Sequence, residues 1–414
     1  MVTTPDKAMK LIGPFKQMLT LANLPLKGAL LDDQLEIVPD GGVLVQNGRI
    51  VDVGHFQRLR LRYPDAAVEA VENPMVLLPG FVDCHTHLCF AGSRAKDYAM
   101  RISGRTYLEI AASGGGIWDS VTQTRGASAA ELEQLICVRA ARHFQEGVTT
   151  IEVKTGYGLN PDEEHRQLEA IHAASKRSVA ELVPTCLAAH IKPKDFDGSA
   201  SAYLEHVVRD LLPLVRQRNL ASRVDIFVET GAFTPEEAAS YLDQTIRMGF
   251  RHTVHADQFS VGGTAVAVKT GAVSADHLEA CGDAEIALLA GSLTVAVALP
   301  GASLGLGMGY APARKLLDAG AALAIASDWN PGSAPMGDLL AQAAVMGAAE
   351  KLTTAETFAG LTSRAAHALS LSDRGRIAPG QLADLQAYAC DDYREILYHQ
   401  GKLKPTCVWK SGNK

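Results

Sequence analysis

The chain has no excess of positive charge, no CxxC pair, no apolar run of membrane-spanning length and no GxGxxG opening a helix after its first strand. Each absence removes a class of function. With 39 Lys and Arg against 46 Asp and Glu, a formal charge of -7 and a pI near 6.0, the surface suits neither nucleic acid nor an anionic membrane. Seven scattered cysteines argue against a disulfide framework or a zinc knuckle and for reduced core thiols. Lys7, Lys10, Lys16 and Lys27 break up the apolar residues near the start, so no signal-peptide core forms. A cytoplasmic protein acting on a small molecule is the expectation.

What is present is a long alternation of short apolar runs with helical stretches. Eight runs read as strands, at 78–87, 148–154, 181–190, 224–230, 252–257, 271–278, 293–300 and 322–328. Stretches such as 162–175, 235–247, 263–270 and 335–350 have helical spacing. Eight alternations predict an α/β protein built as a (β/α)8 TIM-like barrel over 78–374, not an open dinucleotide-binding sheet. Before the barrel, apolar alternation on both sides of Asn47-Gly48 predicts a hairpin over 41–54. After it, 375–388 and 406–409 read as further strands, so residues 1–77 and 375–414 are expected to share a small composite β-sandwich domain.

In such barrels the reactive side chains come from the C-terminal ends of the strands. Here those ends carry His85 and His87, Lys154, His190, Glu229, His255 and Asp257, His277, and Asp328. His85 and His87, two apart on a strand, face the same way, and Cys84 and Thr86 the other. With His255 and Asp328 they make three imidazoles and a carboxylate, a set that suits zinc or iron with a position left for water. His252 is expected to face the opposite side from His255. Lys154 reads as a buried partner for Glu152 or Glu229.

The PGFVDCHTH segment, the strand-end histidines and the last-strand Asp resemble the amidohydrolase superfamily. Within it, GGG at 114–116, EVKTGYGL at 152–159, LAAH at 187–190, HADQFS at 255–260, SADHLE at 274–279 and SDWNPGS at 327–333 resemble the imidazolonepropionase family. The resemblance implies hydrolytic opening of 4-imidazolone-5-propanoate to N-formimidoyl-L-glutamate in histidine degradation, with one zinc or iron ion per chain and a homodimer. It implies His85, His87, His255 and Asp328 as metal ligands, Asp328 as proton shuttle and His277 as oxyanion stabiliser. A buried His277 bonded to Asp276 or to backbone is the structural alternative. Arg94 matches the substrate-binding arginine, and Tyr157, His190, Gln258, Asn330, Gly332 and Ser333 match further ligand contacts. Tyr107 reads as a packing residue or a further carboxylate donor. The fourth strand ends Phe-Val-Glu-Thr, without the lysine that bridges two metals in the superfamily, so one metal is expected. Trp329 and the glycine-rich loop after Leu299 depart from the family pattern and leave the pocket's fine shape open. Two rivals share the metal residues: a deaminase of a heterocyclic base, and a scaffold that has lost catalysis.

Overall fold

The computed structural model describes residues 8–105, 109 and 113–414; Tyr107 lies outside them. Eight parallel strands form one sheet in sequential order: Phe81–Asp83 (β1), Val148–Lys154 (β2), Glu181–Ala189 (β3), Arg223–Val228 (β4), Arg251–Ala256 (β5), Ser274–His277 (β6), Val295–Ala298 (β7) and Leu323–Ile325 (β8). The last strand returns to the first just beyond their ends. There Asp328 donates its N–H to the His85 carbonyl at 3.0 Å, and His87 donates to the Trp329 carbonyl at 3.0 Å. The Ser327 N–H reaches Asp83 Oδ1 at 3.0 Å and reinforces the same seam.

Period-two alternation divides each strand between two environments. Outward residues such as Ile151, Val153, Val224, Ile226 and Val254 pack in the main core with helix residues Leu132, Ile136, Leu168, Ile171 and Leu242. The inward set includes Glu152, Lys154, Asp225, Thr253 and Asp276, all buried. At the N-terminal ends of the strands, the helix Ser363–Ala368 closes the barrel against Val82, Val295, Val297 and Ala324. Arg223 Nη2 donates to the Ala368 carbonyl at 3.1 Å, and Arg374 donates to Thr150 Oγ1 at 3.0 Å while pairing with Glu181 at 2.7 Å.

Both chain ends meet in a second, mixed sheet. Its order is Cys407–Trp409, Leu385–Tyr388, Val76–Pro79, Lys10–Leu19, Ile37–Gln46, Arg49–His55, with Ala67–Ala70 alongside Lys10–Gly13. The hairpin turns at Asn47 and Gly48, whose φ angles are 51° and 78°.

One expected strand divides. The run 78–87 gives Leu78 and Pro79 to the end of the mixed-sheet strand Val76–Pro79 and Phe81–Asp83 to the barrel, with Gly80 between them. A Cβ at Gly80 would collide with the Thr149 side chain, so glycine lets the chain cross tightly from one sheet to the other. The helix expected from 335 begins at Leu339, capped by Asp338 on the Ala341 N–H at 3.0 Å.

Candidate active site

His85 and His87 lie beyond the end of β1, not on it, because regular pairing stops at Asp83. Barrel closure brings them to Asp328. His85 Nε2 is 3.6 Å and His87 Nε2 3.4 Å from Asp328 Oδ1. His255, at the end of β5, brings its Nε2 to 3.4 Å from His87 Nε2, with its ring 4.5 Å from that of His85. Between the two histidines, Thr86 is locked to β2, donating its N–H to Glu152 Oε2 at 3.2 Å and its hydroxyl to the Glu152 carbonyl. Cys84 packs with Val82 and Val297 in the barrel's lower apolar cluster, its thiol pushed up chiefly by burial.

The far ring nitrogens have carboxylate neighbours. Asp276 Oδ2 stands 2.7 Å from His85 Nδ1, and Asp225 Oδ2 stands 2.9 Å from His255 Nδ1. A carboxylate there holds the proton on Nδ1 and turns the Nε2 lone pair toward the shared point. Lys154 lies beneath, with its Nζ 2.8 Å from Asp225, 2.7 Å from Glu152 and 3.9 Å from Asp276. Its expected partner Glu152 is present. Glu229 is not a partner: its carboxylate instead takes the Phe259 and Ser260 N–H groups at 2.8 and 3.1 Å. Asp257 likewise serves structure, accepting the Gly262, Gly263 and Thr264 N–H groups at the start of a helix.

These neighbours set the charge states. Burial lowers the pKa of both His87 and His255 to about 3, and burial with the Lys154 charge holds His85 well below its ordinary value. The three imidazoles are neutral, as ligands must be. Burial alone would lower Lys154, but Asp225, Glu152 and Asp276 outweigh it and keep the ammonium protonated. Desolvation raises Asp328.

The arrangement fits a metal ion on a structural criterion. His85 Nε2 and Asp328 Oδ1 are buried and have no hydrogen-bond partner, although each faces the other's polar atom. Buried polar atoms normally find partners. His85, His87 and Asp328 present their donor atoms within one ion's reach, as do His85, His255 and His277.

His277 differs from the other rings. Its Nδ1 is 3.5 Å from Glu279 Oε2, and Ser303 Oγ donates to the other carboxylate oxygen at 3.1 Å. The alternative partner Asp276 is engaged by His85 instead. Burial pulls the His277 pKa down, yet the nearby carboxylates, Glu279 foremost with Asp328 and Asp276, outweigh it and hold the ring above its ordinary value. Three strand-end residues, His277, Leu278 and Asp328, have φ of 92°, 73° and 51°. Such angles cost side-chain-bearing residues about 1 kcal/mol or more each and concentrate at functional sites. His252 faces the other way, as alternation predicts, buried with its Nε2 2.9 Å from Thr270 Oγ1.

Above the cluster is a cavity of about 820 Å³. Its wall includes Arg94, Tyr157, His190, Gln258, Asn330, Gly332 and Ser333 together with His87, His255, His277 and Asp328. His190 stacks on His87 at 5.5 Å, with its Nδ1 3.0 Å from the Gly156 carbonyl. Asn330 Oδ1 accepts the Gly332 and Ser333 N–H groups at 2.7 and 2.8 Å, and its Nδ2 donates to the Asp328 carbonyl at 2.7 Å, so one amide shapes the turn after β8. Arg101 and Arg105 also face the cavity and were not singled out by the sequence; arginines on a helix and its following turn look like ordinary solvated residues. Trp329 does not shape the pocket, since it packs on His143 at 4.8 Å and under the Arg142 guanidinium at 4.7 Å. The glycine-rich run after Leu299, expected as a loop, forms the helix Pro300–Leu306, and Leu306 at its end and Met308 beyond it do line the cavity.

A barrel with histidines and an aspartate gathered at its closing seam defines a class, the hydrolases that use such a mouth to activate water. The model of the amidohydrolase family matches residues 76–414, and the chain belongs to that family. A bacterial imidazolonepropionase-like composite domain matches residues 41–66. Imidazolonepropionases from Chloroflexus aggregans and Deinococcus deserti are each 40% identical to the chain, the first over 97% of both chains and the second over 96% of this chain and 97% of its own. One from Symbiobacterium thermophilum is 39% identical over 96% of this chain and 94% of its own. Within the amidohydrolases, the chain belongs with the imidazolonepropionases. Solved structures share the fold at lower identity. A Xanthomonas campestris adenosine deaminase with bound zinc is 19% identical at a TM-score of 0.72, over 98% of this chain and 92% of its own. A triazine hydrolase variant is 17% identical at 0.75, over 98% and 94%. Among the described residues no helix is long and apolar enough to cross a membrane.

Proposed function

We propose that the chain hydrolyses the ring amide C–N bond of 4-imidazolone-5-propanoate, giving N-formimidoyl-L-glutamate, with one zinc or iron ion held by His85, His87, His255 and Asp328. The supporting observation is that His85, His87 and Asp328 present donor atoms within one ion's reach, with His255 Nε2 3.4 Å from His87 Nε2, beside a cavity whose wall also presents Arg94. A bound ion supplies Lewis acidity to the lactam carbonyl and lowers the pKa of a water toward about 7.

The residues do the rest. Arg94 holds the propanoate, for which a planar guanidinium is the natural partner, and so sets the ring's direction in the cavity. Tyr157, His190, Gln258 and the Asn330–Ser333 turn surround the ring. Asp328, whose burial favours its protonated form, takes a proton from the attacking water. His277, with its Nδ1 3.5 Å from Glu279, donates a ring N–H to the oxyanion as the carbonyl carbon becomes tetrahedral. Asp328 then delivers the proton to the departing ring nitrogen, so that water has added across the C–N bond. A homodimer in the cytoplasm completes the proposal. The test is to incubate purified protein with freshly made imidazolonepropanoate and with adenine and triazine bases. Loss of imidazolone absorbance without ammonia release is expected. Ammonia from a base with no imidazolone turnover would overturn the reading in favour of a deaminase.

A further inference from the structure

We propose that Asp97 is a positioning residue that sets carboxylate specificity by holding Arg94, and that the Gly114–Gly116 loop exists to seat Asp97. The inference rests on the reading of Arg94 as the partner of the substrate's carboxylate.

Arg94 caps the helix Ala95–Ile102, and Asp97 stands in its first turn. An acidic side chain there is ordinarily a solvated partner of the helix dipole. Asp97 is instead 3% exposed, and its Oδ2 accepts from Arg94 Nε at 2.8 Å and from the Gly116 N–H at 2.8 Å. The carboxylate is committed to the arginine and to the loop, not to its own helix. Because the bond uses Nε, the other edge of the guanidinium, with Nη1 and Nη2, stays available in a fixed plane for a bidentate acceptor. Two glycines make room for this. A Cβ at Gly115 would collide with the Asp97 carboxylate, and a Cβ at Gly332 would collide with Arg94 Nη1 on the cavity side. The GGG segment is therefore remote in sequence from the reacting atoms but two hydrogen bonds, through Asp97, from the residue that orients the substrate.

A long, flexible side chain loses entropy when fixed on a ligand, and a buried carboxylate that fixes it beforehand removes that cost from binding. The consequence is selective: the effect depends on the ligand's negative charge. Initial rates are to be measured on imidazolonepropanoate and on its neutral propanamide for the parent protein, Asp97→Asn, Arg94→Gln and the double variant. Asp97→Asn is expected to lower kcat/KM on the propanoate by about tenfold or more, chiefly through KM, and to change the propanamide by less than about twofold. The double variant is expected to be no worse than Arg94→Gln alone, since Asp97 acts through the arginine. Should Asp97→Asn misfold, Gly115→Ala, which displaces the same carboxylate, is expected to show the same selective rise in KM. Equal losses on both substrates, or additive losses in the double variant, would overturn the proposal. If Arg94→Gln itself leaves the preference for the propanoate intact, it is the reading of Arg94 that fails. If Arg94→Gln abolishes the preference and Asp97→Asn does not, the role of Asp97 alone is refuted.

Discussion

The two ends of the barrel both bury charge, and they use it differently. At the floor, Arg374 is spent on Glu181 and Thr150, and Arg223 reaches the last carbonyl of the closing helix, so that charge ties elements together. At the mouth, Asp225 and Asp276 stand against the outer nitrogens of His255 and His85, and the inner His85 Nε2 and Asp328 Oδ1 face each other without a hydrogen-bond partner. Left-handed backbone at His277, Leu278 and Asp328 falls at the mouth as well. A buried polar group that bridges elements fixes structure, and one that faces an open cavity is available for chemistry.

Substitutions at the two ends should therefore separate activity from stability. The largest effect on turnover is expected from Asp328→Asn, which keeps the side chain's shape and removes its basicity. The rate on imidazolonepropanoate should fall by about 10³-fold, with the thermal midpoint nearly unchanged. Near-normal turnover would show that the proton travels by another route. Arg374→Met should do the reverse. Glu181 is partly exposed and keeps Lys410 at 3.3 Å, so the loss is modest, a fall in thermal midpoint of roughly 2 °C with kcat/KM within about twofold. A large loss of activity in a stable Arg374→Met protein would mean that the floor and the mouth are coupled, and the contrast would fail.

The mouth was more legible in the sequence than what supports it. His85, His87, His255, His277 and Asp328 stand at the ends of recognisable apolar runs, so their convergence followed from the barrel alone. Their neighbours did not. Asp225 sits inside a strand two residues before Phe227, and only the registers of β2 to β5 decide that it meets His255 and Lys154. Lys154 was expected beside Glu152 or Glu229, but which carboxylates cross a barrel's interior is a matter of stagger, which a single sequence does not display. The break at Gly80 was hidden for a related reason, because an apolar run through a glycine looks continuous until the Thr149 side chain beside it is known. Asp97 was the hardest to find, since an acidic residue three positions after an arginine is an everyday surface pair, and its burial depends on a loop some twenty residues away.

The central claim is that one ion, held by His85, His87, His255 and Asp328, makes the mouth a hydrolytic site. The direct measurement is to strip the protein with a chelator, add zinc in small increments, and record bound metal and imidazolonepropanoate turnover on the same samples. Turnover is expected to be absent in the stripped protein, to rise in proportion to bound metal, and to level off at about one ion per chain. Full turnover in protein shown to contain no metal, or a rise that continues to two ions per chain, would contradict it.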